Sequence, residues 1–153
     1  MRLPAIMHGI AALLSAFPAA AQKGQSPVDT VVMLEGACDF RVDDKKIECD
    51  SKLLYTKFTN HRVAITALPS LLGGVDFSGG KDIQPAPGNY LLTVDKLILS
   101  GGTVVPADGF CHVDIRADGQ LVYKVECKAL AHDGRSFELD FAPEPKPPKI
   151  MHF

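Results

Sequence analysis

The sequence contains no tryptophan, no excess of basic residues and none of the familiar catalytic motifs. Its 16 Lys and Arg stand against 18 Asp and Glu, for a formal charge of −2, which argues against a protein that holds nucleic acid by bulk charge. No C-x-x-C, G-x-S-x-G or H-E-x-x-H occurs, and the histidines are scattered. The sequence therefore predicts no metal and no other cofactor, and it favours a protein that is not an enzyme.

Disorder is also excluded, because 46% of the 153 residues are hydrophobic, which is enough for one ordinary domain. Apolar runs long enough to suggest targeting are confined to the N-terminus. Met1-Arg2 is positive, Leu3–Phe17 is almost entirely apolar, and Ala19–Ala21 are small. This succession is typical of a secretory signal peptide, residues 1–21, and is too short to span a membrane. We therefore predict a periplasmic protein with no membrane span after cleavage.

Export places the four cysteines in an oxidising compartment, where disulfides persist. Three pairings of four cysteines are possible. Local geometry favours Cys38–Cys49 and Cys111–Cys127, because each pair brackets a predicted hairpin. A metal or redox site is the weaker alternative.

The hairpin between Cys111 and Cys127 has the clearer pattern. Residues 111–116 alternate between apolar and polar, Asp118-Gly119 indicates a turn, and residues 120–127 return. If the two cysteines face each other, apolar residues oppose one another on the same face of the hairpin, and residues of opposite charge oppose one another on the other face. This register predicts the pairs Val113–Val125, Ile115–Tyr123, Asp114–Lys124 and His112–Glu126.

The hairpin between Cys38 and Cys49 is predicted to turn at Asp43-Asp44, with Phe40 facing Ile47. The same register sets Arg41 against Lys46 and Asp39 against Glu48, which is unfavourable. Diagonal Asp39–Lys46 and Arg41–Glu48 contacts would offset part of this repulsion.

Short strands continue between turns through the rest of the chain, so we predict an all-β fold: a small antiparallel sandwich or barrel built from disulfide-stapled hairpins. Gly36-x-Cys38 recurs 73 residues later as Gly109-x-Cys111, and Arg62 after its turn recurs as Arg135. This spacing suggests an internal duplication. The predicted divisions are a leader and first strand (22–35), an all-β domain (36–142) and a Pro-rich, solvated tail (143–153). The last residues, 150–153, could dock on the domain, bind a partner or fray.

One glycine-rich segment resembles a phosphate-binding loop. Ser78-Gly79-Gly80-Lys81-Asp82 is similar to the S-G-G-x-D-S signature of the ATP pyrophosphatase family, but Ile83 replaces the final Ser and too few residues follow for that family's α/β domain. A turn between strands is the simpler interpretation. These five residues are nevertheless the candidate ligand-binding residues of the chain.

A second resemblance rests on residues 49–63, with Cys49-Asp50-Ser51-Lys52, on residues 77–85 and on residues 90–95. These runs resemble small, uncharacterised exported proteins of alpha-proteobacteria. The resemblance implies a Gram-negative periplasmic setting and implies no activity.

Size, disulfides and missing motifs together predict a non-enzymatic periplasmic module that binds an unknown protein or small ligand of the cell envelope. An inhibitor of an envelope-targeting hydrolase is one specific form. The alternatives are a small envelope enzyme or ligand carrier that uses the Phe77–Pro85 loop, and a structural component of the envelope.

Overall fold

The alternation of apolar and polar residues produces eleven strands in the part of the chain that the structure, a computed structural model, describes: residues 26–153. The predicted signal peptide (1–21) and the first leader residues (22–25) lie outside the described residues. A single 3₁₀ turn, Ser100–Gly102, precedes β8. The strands are β1 Val28–Val42, β2 Lys45–Ile47, β3 Cys49–Phe58, β4 Val63–Pro69, β5 Val75–Gly79, β6 Asp82–Ala86, β7 Asn89–Leu99, β8 Thr103–Ile115, β9 Val122–Ala131, β10 Ser136–Pro143 and β11 Lys149–His152.

Eight of these strands form a closed antiparallel barrel in the order β1-β3-β4-β5-β7-β8-β9-β10, with β10 pairing back to β1. Each barrel strand pairs with the barrel strand before it and the one after it in the chain. The short strands β2, β6 and β11 pair with β1, β7 and β1 respectively. The all-β prediction is confirmed, and of its two forms the structure is the barrel.

The inward-facing residues are almost all apolar, as the period of two along each strand requires. Phe40 packs edge-to-face against Phe77 and Phe137, with ring centroids 6.4 and 6.5 Å apart. All three rings are fully buried. They fill the end of the barrel that carries the β1–β2 and β9–β10 turns, and we call it the closed end.

Both predicted disulfides are present. Cys111 and Cys127 are directly opposed on β8 and β9 and are fully buried, whereas Cys38 and Cys49 are half-buried. The described residues include no free cysteine.

The predicted β8–β9 register is confirmed at Val113–Val125 and at both charged pairs beside it. The prediction that Ile115 faces Tyr123 is wrong. A β-bulge after Asp114 shifts the register, so that Ile115 opposes Val122 and Tyr123 is left 56% exposed. A bulge adds one residue to a strand and therefore moves the apolar sequence by one position relative to the interior.

The first hairpin has the predicted turn. Asp43 and Asp44 both have positive φ, 50° and 64°, as a two-residue type I′ turn requires. Phe40 opposes Ile47 and Arg41 opposes Lys46. Of the two predicted diagonal contacts, Asp39–Lys46 is present, with Lys46 Nζ 3.1 Å from a carboxylate oxygen of Asp39. The predicted contact of Arg41 with Glu48 is wrong, because Arg41 Nε binds Asp39 instead, at 3.0 Å.

The two turns that lie 73 residues apart have the same hydrogen bonds. In the β3–β4 turn the Phe58 amide donates to the Arg62 carbonyl (2.9 Å), the His61 amide donates to the Phe58 carbonyl (2.9 Å), and the Arg62 amide donates to the Asn60 side chain (3.1 Å). The β9–β10 turn repeats these three bonds at the same distances, through Ala131, Asp133, Gly134 and Arg135.

The paired glycines also have one role. A Cβ at Gly36 would overlap the Ala142 carbonyl, and a Cβ at Gly109 would overlap the Lys128 carbonyl. A neighbouring strand therefore approaches each of them too closely for a side chain. These matching contacts support the predicted duplication.

The C-terminal residues dock on the barrel, which is one of the three alternatives left open for them. β11 pairs with residues 30–33 of β1, and the Phe153 amide donates to the Asp29 carbonyl (3.0 Å). The exposed Pro-rich segment that precedes β11 is attached through Lys146, which contacts both Glu35 and Glu144. β1 itself runs unbroken through residues 35 and 36, where the leader was predicted to meet the domain.

Candidate functional site

A cavity of about 230 Å³ occupies the barrel end opposite the closed end. We call this end the mouth; it carries the β3–β4, β6–β7 and β8–β9 turns. Seven strands contribute to the cavity wall. The lining residues are Val32 and Leu34 of β1, Leu53 and Tyr55 of β3, Ile65 of β4, Asp82 of β6, Tyr90 of β7, Val113 and Ile115 of β8, and Val122 and Val125 of β9.

The small size of some inward side chains contributes to the cavity. An eight-stranded barrel encloses just enough space for its side chains or for one small ligand. Phenylalanines fill the closed end, whereas four of the residues that line the mouth cavity are valines. The β8–β9 bulge contributes as well, because it leaves the larger Tyr123 outside the barrel and places Val122 at the wall.

Polar groups meet at one side of this apolar cavity. The Tyr55 hydroxyl donates a hydrogen bond of 2.7 Å to a carboxylate oxygen of Asp82, and Tyr90, which also lines the cavity, is close enough to Tyr55 to influence its pKa. Burial, followed by the bond to Asp82, raises the pKa of Tyr55 above its usual value. Tyr55 therefore stays protonated and keeps donating throughout the neutral range.

The C-terminal strand adds an apolar rim. Ile150 of β11 opposes Val32 of β1, and opposed residues of antiparallel strands share a face of the sheet. Ile150 therefore lies on the same face as a cavity-lining valine, yet it is 52% exposed. We call this exposed side chain, next to the cavity-lining Val32, the Ile150 rim.

The five candidate residues of the glycine-rich segment separate in the structure. Asp82 lines the cavity, whereas Ser78 accepts a hydrogen bond of 3.2 Å from Arg62, which Asp95 also holds. Gly79 packs against the Thr93 backbone, Gly80 has open space beside it, and Lys81 is exposed. The segment itself connects β5 to β6, and both strands lie along β7.

Sequence reasoning missed the other ten lining residues. Each is an ordinary apolar or aromatic residue of a strand, and their period of two predicts that they face inward. Nothing in that pattern shows which end of the barrel is left unfilled. Asp82 was the one lining residue that the sequence singled out, as part of the glycine-rich segment.

A larger groove, about 530 Å³, lies outside the barrel, across β1, β9 and β10. Some of its charged residues are paired: Asp39 accepts from Arg41 (3.0 Å) and Lys46 (3.1 Å), and Glu126 accepts from Lys124 (2.7 Å). Lys128 and Glu138 also line the groove and form no ion pair with the described residues. The groove is lined mainly by charged side chains, whereas the mouth cavity is mostly apolar with a few polar groups on its wall, so the mouth cavity is the better candidate site despite its smaller volume.

Residues 26–153 contain no group of three His, Cys, Asp or Glu side chains that could hold a metal ion. Within the same range no helix is long and apolar enough to cross a membrane. Comparison with known proteins gives no match: no protein-family model matches the chain, and no curated protein or solved structure is significantly similar to it.

Proposed function

We propose that this chain is an exported binding protein that holds one small, largely apolar molecule in the mouth of its barrel. The observation that carries the proposal is the cavity of about 230 Å³, lined by side chains from seven strands. A water molecule occupies about 30 Å³ in the liquid, so the cavity suits a compact ligand rather than a long lipid chain.

The proposal joins two of the functions predicted from sequence, a non-enzymatic binding module and a ligand carrier that uses the Phe77–Pro85 loop. That segment, which forms parts of β5 and β6 and the short connection between them, contributes Asp82 to the cavity. No contact in the described residues favours a hydrolase inhibitor or a structural component, so both stay predictions.

Titration with 2-phenylethanol, a compact neutral probe, tests the site. Amide NMR spectra should shift at cavity-lining residues such as Val113 and Val125. Val32→Phe fills the cavity and should weaken binding by about tenfold or more. Val104→Phe is the matched control, because Val104 is 54% exposed and lies outside the cavity, and it should bind like wild type.

The proposal fails if 2-phenylethanol shifts no cavity residue, or if folded Val32→Phe binds as tightly as the wild type. Retained dispersion of the amide spectrum shows that the variant is folded.

Export is the second part of the proposal, and its support is the signal-like N-terminus together with two formed disulfides. Expression of the full chain in a Gram-negative host should place it in the osmotic-shock fraction, with Gln22 as its first residue by mass spectrometry. Recovery of uncleaved chain in the cytoplasm, with reduced cysteines, would contradict export.

A further inference from the structure

The mouth cavity contains one ionisable acid among otherwise apolar and aromatic residues. Asp82 forms no ion pair with a Lys, Arg or His of residues 26–153. Many other carboxylates of the barrel are paired, for example Asp39 with Lys46 and Asp95 with Arg62. The cavity therefore presents a negative charge with no positive partner.

The protein supplies Asp82 with one donor, the Tyr55 hydroxyl, which binds a single oxygen of the carboxylate. A carboxylate accepts about four hydrogen bonds, so it retains capacity for a donor from a ligand. Removal of a charge from water beside an apolar wall is costly unless a partner compensates it. A positively charged ligand group would compensate Asp82, whereas a negatively charged group would be repelled.

The two tyrosines strengthen the case for a cation. Both tyrosines line the cavity, Tyr55 is hydrogen-bonded to Asp82, and Tyr90 is close enough to Tyr55 to influence its pKa. The faces of aromatic rings attract ammonium groups. The other eight lining residues are all apolar aliphatic side chains, which suit the hydrocarbon body of a ligand.

From this geometry we infer that the ligand is a small primary or secondary amine with an apolar body, whose ammonium group binds Asp82 beside Tyr55. The inference rests on the proposed function, because it names the chemical class of ligand for the same cavity. Binding is noncovalent, and no bond forms or breaks.

Three probes of nearly equal shape separate the possibilities: 2-phenylethylamine, 2-phenylethanol and phenylacetate. A charge-assisted hydrogen bond should make the amine bind about tenfold or more tighter than the alcohol. Phenylacetate should bind more weakly than either. Affinities are measured by calorimetry, and the site is located by amide NMR shifts.

Asp82→Asn should remove the preference for the amine, so that 2-phenylethylamine and 2-phenylethanol bind the variant with affinities within about twofold of each other, because the amide keeps the shape of the side chain and removes its charge. Asp76→Asn is the matched control. Asp76 is also half-buried and also accepts a hydroxyl hydrogen bond of 2.7 Å, from Thr66, but it does not line the cavity. This control should keep the full preference for the amine.

The outcomes separate the inference from the proposed function. If 2-phenylethanol binds at the mouth and the amine binds no tighter, the amine inference is overturned while the binding site stands. If Asp82→Asn keeps the amine preference, Asp82 does not recognise the charge and the inference is equally overturned. If no probe shifts a cavity residue, the proposed function fails, and the inference fails with it.

Discussion

At the scale of single residues, two half-buried carboxylates show how differently the barrel treats acids. Asp82 faces the mouth cavity, where a ligand can reach it, whereas Asp76 of β5 is held against Thr66 of the neighbouring strand. Burial raises the pKa of Asp76 above its usual value of 3.8, and the hydrogen bond from Thr66 offsets only part of this effect. The folded protein therefore binds a proton at Asp76 more readily than the unfolded chain does.

This raised pKa predicts the sign of a pH effect. Ionised Asp76 destabilises the fold above its folded pKa, and the penalty disappears as the pH falls toward the unfolded value. Asp76→Asn should therefore be more stable than the wild type at about pH 7, and the difference should shrink at about pH 4. Urea unfolding at the two pH values measures both quantities.

Asp133→Asn is the control with the opposite sign. Arg135 lowers the pKa of Asp133, so this carboxylate contributes stability at neutral pH that is lost in acid. Its replacement should therefore destabilise the protein at about pH 7 and have a smaller effect in acid. A parallel response of the two variants would show that their environments do not differ as the structure indicates.

At the scale of elements, the repeated turns allow a direct exchange of residues. His61 of the β3–β4 turn has a φ of 67°, and the equivalent Gly134 of the β9–β10 turn has a φ of 93°. Left-handed backbone costs a residue with a side chain about 1–2 kcal/mol, and the freedom of glycine in the unfolded chain offsets about half of this. His61→Gly should therefore stabilise the protein by about 0.5–1 kcal/mol in urea unfolding.

Gly134→His is the reciprocal variant and should destabilise the protein by about 1 kcal/mol. A Cβ at Gly134 would meet no atom within 4 Å, so a loss of stability there reports the backbone alone. If the two variants shift stability in the same direction, the turns are not equivalent.

The success of sequence reasoning differed between elements for physical reasons. The β8–β9 register was predictable because the cysteines, the apolar face and the opposed charges all required the same alignment. Tyr123 was predicted wrongly because a bulge depends on the twist and closure of the whole barrel, which a pattern of period two does not contain. The docking of β11 was left open because Lys149–His152 is a short run behind four prolines, and only a free edge of β1 gives it a partner.

The cavity could not be predicted for a related reason. The volume of the cavity equals the volume that the eight strands enclose minus the volume of the side chains inside the barrel. The choice of valine rather than phenylalanine at the mouth is visible in the sequence, but the end of the barrel to which each residue belongs depends on the register of every strand. Asp82 was found through its resemblance to a phosphate loop, whereas the structure places it beside Tyr55 and an apolar wall.

At the scale of the whole molecule, the two disulfides should contribute unequally to stability. The Cys38–Cys49 bridge closes a loop of 11 residues and the Cys111–Cys127 bridge a loop of 16. For loops of this length the chain-entropy model gives a stabilisation of about 3 kcal/mol each. Cys111 and Cys127 are also fully buried, so their replacement by alanine leaves unfilled space in the core. The double variant C111A/C127A should therefore unfold at a lower urea concentration than C38A/C49A. Equal urea midpoints would show that the packing of Cys111 in the core adds no stability beyond that of the cross-link.

The C-terminal strand connects the stability of the barrel to its mouth. A chain that ends at Pro143 loses the pairing of β11 with β1 and the contact of Lys146 with Glu35. At about 0.5–1.5 kcal/mol for each lost hydrogen bond, this chain should be destabilised by about 2 kcal/mol or more. It should also bind 2-phenylethanol more weakly, because the truncation removes the Ile150 rim.

Ile150→Ser separates these two effects, because it removes the apolar rim and keeps the backbone pairing of β11 with β1. Its free energy of unfolding should stay within about 0.5 kcal/mol of the wild-type value, since Ile150 is already 52% exposed. Its affinity for 2-phenylethanol should nevertheless fall toward that of the truncated chain. If truncation leaves stability unchanged, β11 is not held on β1. If Ile150→Ser binds like wild type, β11 stabilises the barrel without forming part of the entrance.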